Sequence, residues 1–138
     1  MFGNLSRVLF IIAALSPMPV AAAGHSIGET IRPVFSHKLP NMPGKSLVAI
    51  LVEYAPGGKS PPHVHAKSAF VYAQVLSGAI RSKVDHGKSM TFVAGQNFYE
   101  NPGSVHAVSE NASETKPASL LAVFIVDTED THLTTPLR

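Results

Sequence analysis

The sequence predicts an all-β protein, a sandwich or a small barrel. Three observations carry this. From Gly24 onward no stretch keeps apolar residues at the 3.6-residue spacing of an amphipathic helix. Short apolar or alternating runs of strand length recur instead. Ten Gly and eleven Pro in 138 residues punctuate these runs with turns. About seven short strands spaced in this way suit a sandwich or barrel. The length sets a single domain, and a composition 45% hydrophobic and 14% charged can fill its core.

The first segment stands apart. Met1–Ala23 reads as a cleavable secretory signal, with Arg7 as the positive end and Val8–Leu15 (VLFIIAAL) as the apolar stretch. Ser16-Pro-Met-Pro19 breaks it, and Val20-Ala-Ala-Ala23 supplies the small residues of a cleavage site. The run is shorter than the roughly 20 residues that span a bilayer. The expectation is a periplasmic or secreted protein, free of the membrane after cleavage. Residues 24–138 form one domain whose barrel core occupies about residues 45–127.

Along that domain, Ile31–Lys38 is a first strand interrupted by Pro33, and Asn41-Met-Pro-Gly44 is a turn. Leu47–Tyr54 (LVAILVEY) is a strong strand, stopped by Ala55-Pro-Gly-Gly58. Phe70–Leu76 (FVYAQVL) follows and ends at Ser77-Gly78. Ala79–Val84 alternates, and Asp85-His-Gly-Lys88 is a hairpin turn into Ser89–Val93. Gln96–Glu100 and Val105–Ser109 flank Asn101-Pro-Gly103. Leu120–Val126 (LLAVFIV) reads as buried on both faces, and Asp127–Arg138 as a polar tail laid on the surface or on a partner. The expected interior and sheet contacts are Leu47, Ala49, Leu51, Phe70, Val84, Val93, Leu121, Val123 and Ile125.

Composition also removes function classes. The formal net charge is +2 with no Lys/Arg cluster, which disfavours nucleic acid as a partner. With no Cys there is no disulfide framework, zinc ribbon, iron–sulfur cluster or cysteine nucleophile. Ser60, Ser68 and Ser104 lack a nucleophile elbow. Any metal must therefore be held by His, carboxylate or amide, which directs attention to the seven His. His63-Val-His65 puts two imidazoles at i and i+2, on one face if the segment is a strand. Two neutral imidazoles so placed can share a cation with a ligand from another strand, or can serve as pocket histidines without one. His25, His37, His86 and His132 lie in terminal or turn contexts and are expected in solvent.

Gly57–Gly78 (GGKSPPHVHAKSAFVYAQVLSG) resembles the first cupin motif: a glycine, five residues, HxH, a glutamate and a closing glycine. Gly95–Asn111 (GQNFYENPGSVHAVSEN) resembles the second: glycine, a PxG-like turn, two residues, His, then Asn. The chain is similar to small single-domain bacterial cupins of the quercetin-dioxygenase-like kind. The resemblance implies an antiparallel jelly-roll barrel, with His63, His65 and His106 as ligands of a divalent transition metal: iron(II), zinc, nickel or copper. It departs from the family at the first-motif glutamate, whose slot falls at Ala69 or Phe70 counted from His65, and at Val71 counted back from Gly78. Gln74 is the candidate replacement ligand and Tyr72 a candidate pocket residue. Either would need a bulge, since both alternate against Ala69 and Val71. Glu100 is the one charged general base evident in the motifs and is expected at the barrel rim.

Two function classes stay open. One is a metal-dependent dioxygenase acting on a small organic molecule, with catalytic residues beyond the ligands unassigned. The other is a non-catalytic barrel that binds or senses a small ligand. A homodimer is expected in both, because Leu120–Val126 is almost uncharged and needs cover.

Overall fold

The structure, a computed structural model, describes residues 26–138. The leader expected over Met1–Ala23, and His25, lie outside the described residues. Ten strands account for the regular structure, with no α-helix among the described residues. They are β1 (Ile27–Lys38), β2 (Lys45–Lys59), β3 (His63–His65), β4 (Phe70–Ser77), β5 (Ala79–Val84), β6 (Met90–Val93), β7 (Asn97–Glu100), β8 (Val105–Asn111), β9 (Ala118–Asp127) and β10 (Thr134–Pro136).

All pairings are antiparallel. The strand order is β10-β3-β8-β2-β9-β4-β7, with β1 added to β2 and a β8-β5-β6 branch. The sheet curls into a nearly closed jelly-roll barrel. Its spine is β2 against β9, in unbroken register from Lys45↔Asp127 to Tyr54↔Ala118.

Residues opposite each other across a rung share a face of the sheet. Ile50↔Ala122↔Ala73 and Val48↔Phe124↔Val71 therefore define the inner face. Buried Val71, Val75, Ile80, Leu120, Phe124 and Val126 make up much of the core. Each contributes roughly 1.5–3 kcal/mol by leaving water.

This corrects the expected interior. Leu47, Leu51, Leu121, Val123 and Ile125 lie on the opposite, half-buried face, and Phe70 and Val93 are exposed. Of that set Ala49 is buried. Apolar residues occupy both parities of β2 and β9, so the sequence carries the period of two but not its phase. Nor is β9 buried on both faces: it alternates buried and half-buried positions.

Two short strands go beyond those expected. β3 carries the paired histidines, and β10, from the polar tail, lies against it with Thr134↔His65 and Pro136↔His63. Pro33 does not end β1. That strand pairs only with β2 and shifts register between Pro33 and Phe35, where a missing N–H is tolerated. At the β4–β5 corner Gly78 adopts φ +67°, and a Cβ there would come within 2.6 Å of the Pro117 carbonyl oxygen. No other residue fits that corner without displacing the backbone.

Candidate metal centre

Pro61-Pro62 leads the chain into β3, where His63 and His65 leave the same face. His106 on β8 stands directly opposite His63 across the antiparallel rung. One local rule, alternation, aligns two rings, and one non-local pairing adds the third. The ring centroids are 4.9 Å apart for His63 and His65, 5.2 Å for His63 and His106, and 6.1 Å for His65 and His106. One nitrogen from each ring lies within 4.8 Å of the others.

Neighbours fix the rings. His63 Nδ1 donates to the Pro61 carbonyl at 2.9 Å, which turns Nε2 toward the other rings. His106 Nε2 pairs with Ser82 Oγ at 2.8 Å, which turns Nδ1 toward Glu100. His65 packs edge-on against Phe124, and His106 against Phe98. Both nitrogens of buried His65 lack a hydrogen-bond partner. Burial lowers the His63 pKa to about 4, and the nearby His106 and His65 rings add to the fall. His63 is therefore neutral, and able to ligate, near pH 7.

Glu100 was expected at the rim. It is instead 2% exposed, its side chain turned inward at the end of β7. Its Oε2 lies 3.0 Å from His65 Nε2 and its Oε1 3.2 Å from His106 Nδ1. Burial alone would raise its pKa. The facing His106 and His65 imidazoles outweigh burial and bring it down to about 2. The sequence held half the signal, since Glu100 shares the parity of inward Phe98. The other half, the pairing of β7 with β4, is not local.

Gln74 and Tyr72 do not reach the site. β4 and β7 pair without a bulge from Val71↔Glu100 to Gln74↔Asn97. Simple alternation therefore turns Tyr72 and Gln74 to the outer face, where their side chains hydrogen-bond each other. Val71 and Ala73 face the cavity instead. His37, His86 and His132 are exposed, as expected.

The imidazoles open onto a cavity of about 310 Å³, walled by Ile50, Val52, Phe98, Leu120 and other apolar residues. A second polar group lies on its lining. The buried Tyr54 hydroxyl contacts Ser60 Oγ at 2.5 Å and Ser109 Oγ at 2.9 Å, and Ser60 donates to Glu29. Burial pushes the Tyr54 pKa up to about 12, so it stays a neutral hydroxyl. Asn111, the last residue of the second motif, is structural. Its amide donates to the carbonyls of Ala55 and Lys116 and accepts from the Ser113 N–H. Asn111-Ala-Ser113 has the form of a glycosylation sequon, but its asparagine is buried.

A buried three-imidazole cluster in an apolar cavity, with unpartnered nitrogens, suits a divalent transition metal rather than magnesium or calcium. A family model described as the cupin domain matches residues 50–124, more than half of the chain. The chain belongs to the cupin family. It is 27% identical over 125 residues to germin-like protein subfamily 2 member 2 of Arabidopsis thaliana, covering 88% of this chain and 55% of that protein. It is 26% identical over 106 residues to the rhicadhesin receptor of Pisum sativum, covering 75% of this chain and 48% of that one. The chain thus spans about half the length of these curated relatives.

Solved structures share the fold at lower identity. An uncharacterized conserved protein with a double-stranded β-helix domain from Klebsiella pneumoniae superposes with a TM-score of 0.61 at 19% identity, covering 86% of this chain and 89% of that one. Oxalate oxidase in complex with the substrate analogue glycolate gives 0.58 at 22% identity, covering 72% and 51%.

Proposed function

We propose that the protein is a metal-dependent cupin oxygenase acting on a small organic molecule. In this reading His63, His65 and His106 hold a divalent transition ion. The observation that carries it is the convergence of three imidazoles, one with both nitrogens unpartnered, on a largely apolar cavity. A bound ion would supply Lewis acidity and, as iron(II) or copper, access to dioxygen chemistry.

The chain's own groups do the remainder. Ile50, Val52, Phe98 and Leu120 line the cavity with apolar surface, and a low-dielectric wall strengthens polar contacts made against it. The neutral Tyr54 hydroxyl, with Ser60 and Ser109, offers hydrogen bonds to a polar group on the substrate. A cavity near 310 Å³ lies at the small end of ligand sites and favours a compact substrate. Export belongs to the same reading, supported by the Arg7–Ala23 pattern.

The test is oxygen uptake by protein loaded separately with iron(II), zinc, nickel or copper. The panel is a flavonol, a diketone, a thiol, and oxalate with glycolate. The flavonol arm tests the quercetin-dioxygenase-like subtype, and the acids follow from the oxalate oxidase likeness. Uptake with one class, lost in His106→Ala, supports the proposal. Silence across the panel at full metal occupancy removes it in favour of a binding or sensing barrel.

A further inference from the structure

We infer that Glu100 is the anionic ligand of the metal centre, standing one strand away from the slot where the first cupin motif carries its glutamate. The inference rests on the three-imidazole reading and deepens it. Counting back from Gly78 puts the motif slot at Val71, which cannot bind a cation. In the structure the residue paired with Val71 across the β4–β7 rung is Glu100. Partners on one rung share a face, with Cβ atoms about 5 Å apart. A carboxylate on the neighbouring strand therefore reaches the space that a glutamate at position 71 would have reached. Val71 and Glu100 both line the cavity, and both are buried.

The contacts of Glu100 fit a ligand better than a hydrogen-bonded ion pair. Its Oε2 is 3.0 Å from His65 Nε2, yet neither atom has a partner in hydrogen-bonding geometry. Donor atoms about 2.1 Å from a common ion lie about 3.0–3.4 Å from each other. The separations of 3.0 Å to His65 and 3.2 Å to His106 fall in that interval. Charge points the same way. A carboxylate 2% exposed needs a cation, and among the described residues its ion-pair contacts are the two imidazoles, with no Lys or Arg beside it. A divalent ion meets that need, and the carboxylate lowers the net charge of a site otherwise made of neutral rings.

Cobalt(II) alone is the probe, followed by its visible absorption and by competition with a chromogenic chelator. The proteins are wild type, Glu100→Gln, His106→Ala and the double variant Val71→Glu/Glu100→Val, which carries the carboxylate back across the rung. Glu100→Gln is expected to bind at least about tenfold more weakly, and its spectrum at saturation to differ from wild type. The double variant is expected to restore the wild-type spectrum. Weaker binding alone would also follow from a carboxylate that merely steadies the rings, so the saturated spectrum decides. If Glu100→Gln saturates to the wild-type spectrum while His106→Ala loses the metal, the role of Glu100 is overturned and the three-imidazole centre stands. If wild type binds no cobalt, both fall. Should Glu100→Gln fail to fold, Glu100→Val takes its place: an altered spectrum at saturation supports the inference, and a wild-type spectrum overturns it.

Discussion

Acid should unfold the metal-free protein through His63, and the size of the effect follows from its burial. The ring has a pKa of about 4 in the fold, against 6.5 ordinarily. Between those values the unfolded chain binds a proton that the folded chain refuses. Stability is therefore complete above about pH 6.5 and falls as the pH drops toward 4. At 1.36 kcal/mol per pKa unit the full loss is about 3 kcal/mol, and about 2.5 kcal/mol of it develops between pH 7.5 and 4.5. Glu100, whose pKa of about 2 lies below the ordinary 4.5, acts in the same direction but at lower pH, as the pH falls from about 4.5 to 2. The assay is urea unfolding of metal-free wild type and His63→Gln at pH 7.5 and pH 4.5. His63→Gln gives up the bond to the Pro61 carbonyl and should start less stable, by about 1 kcal/mol. It should then lose about 2.5 kcal/mol less than wild type on acidification. Parallel losses in the two proteins would refute the reasoning, because the titrating group would lie elsewhere.

Further predictions concern packing and assembly. Phe124→Ala opens a cavity beside His65 and should cost about 3–5 kcal/mol in denaturant unfolding, with weaker metal binding because the ring loses its support. Tyr54→Phe removes the hydroxyl between Ser60 and Ser109 and should cost about 1–3 kcal/mol with metal stoichiometry unchanged in elemental analysis. A homodimer is expected, though for a different reason from the one the sequence offered. Both edges of Leu120–Val126 are paired, with β2 and β4, whereas Phe70, Tyr72 and Tyr99 are exposed on the outer face beside Val123. Light scattering should show twice the chain mass at micromolar concentration, and a monomer would remove the claim.

The fold was legible because alternation and turn chemistry are local. Phe70–Leu76 and Ala79–Val84 are strands within a residue of where the pattern places them, whereas β2 runs on past Tyr54, through the stop expected at Ala55-Pro-Gly-Gly58, to Lys59. What failed was non-local. The inward phase of β9 depends on its rungs with β2 and β4, and Leu121, Val123 and Ile125 are as apolar as the residues that won the interior. β3 and β10 are too short to show a period. The three histidines could be read because the motif spacing encodes their meeting, and the structure brings His63, His65 and His106 together. Glu100 was missed because its meaning lies in the rung Val71↔Glu100, which no spacing along the chain expresses.

The most direct test of the metal centre is elemental analysis after loading with iron(II), zinc, nickel or copper and removal of free ion. Wild type should carry about one ion per chain at neutral pH, because each imidazole binds in its neutral form. His63→Ala, His65→Ala and His106→Ala should each lose most of it, and His86→Ala, altered in an exposed turn, should retain it. Wild type that stays metal-free under all four loadings, or His106→Ala that binds as well as wild type, would contradict the account.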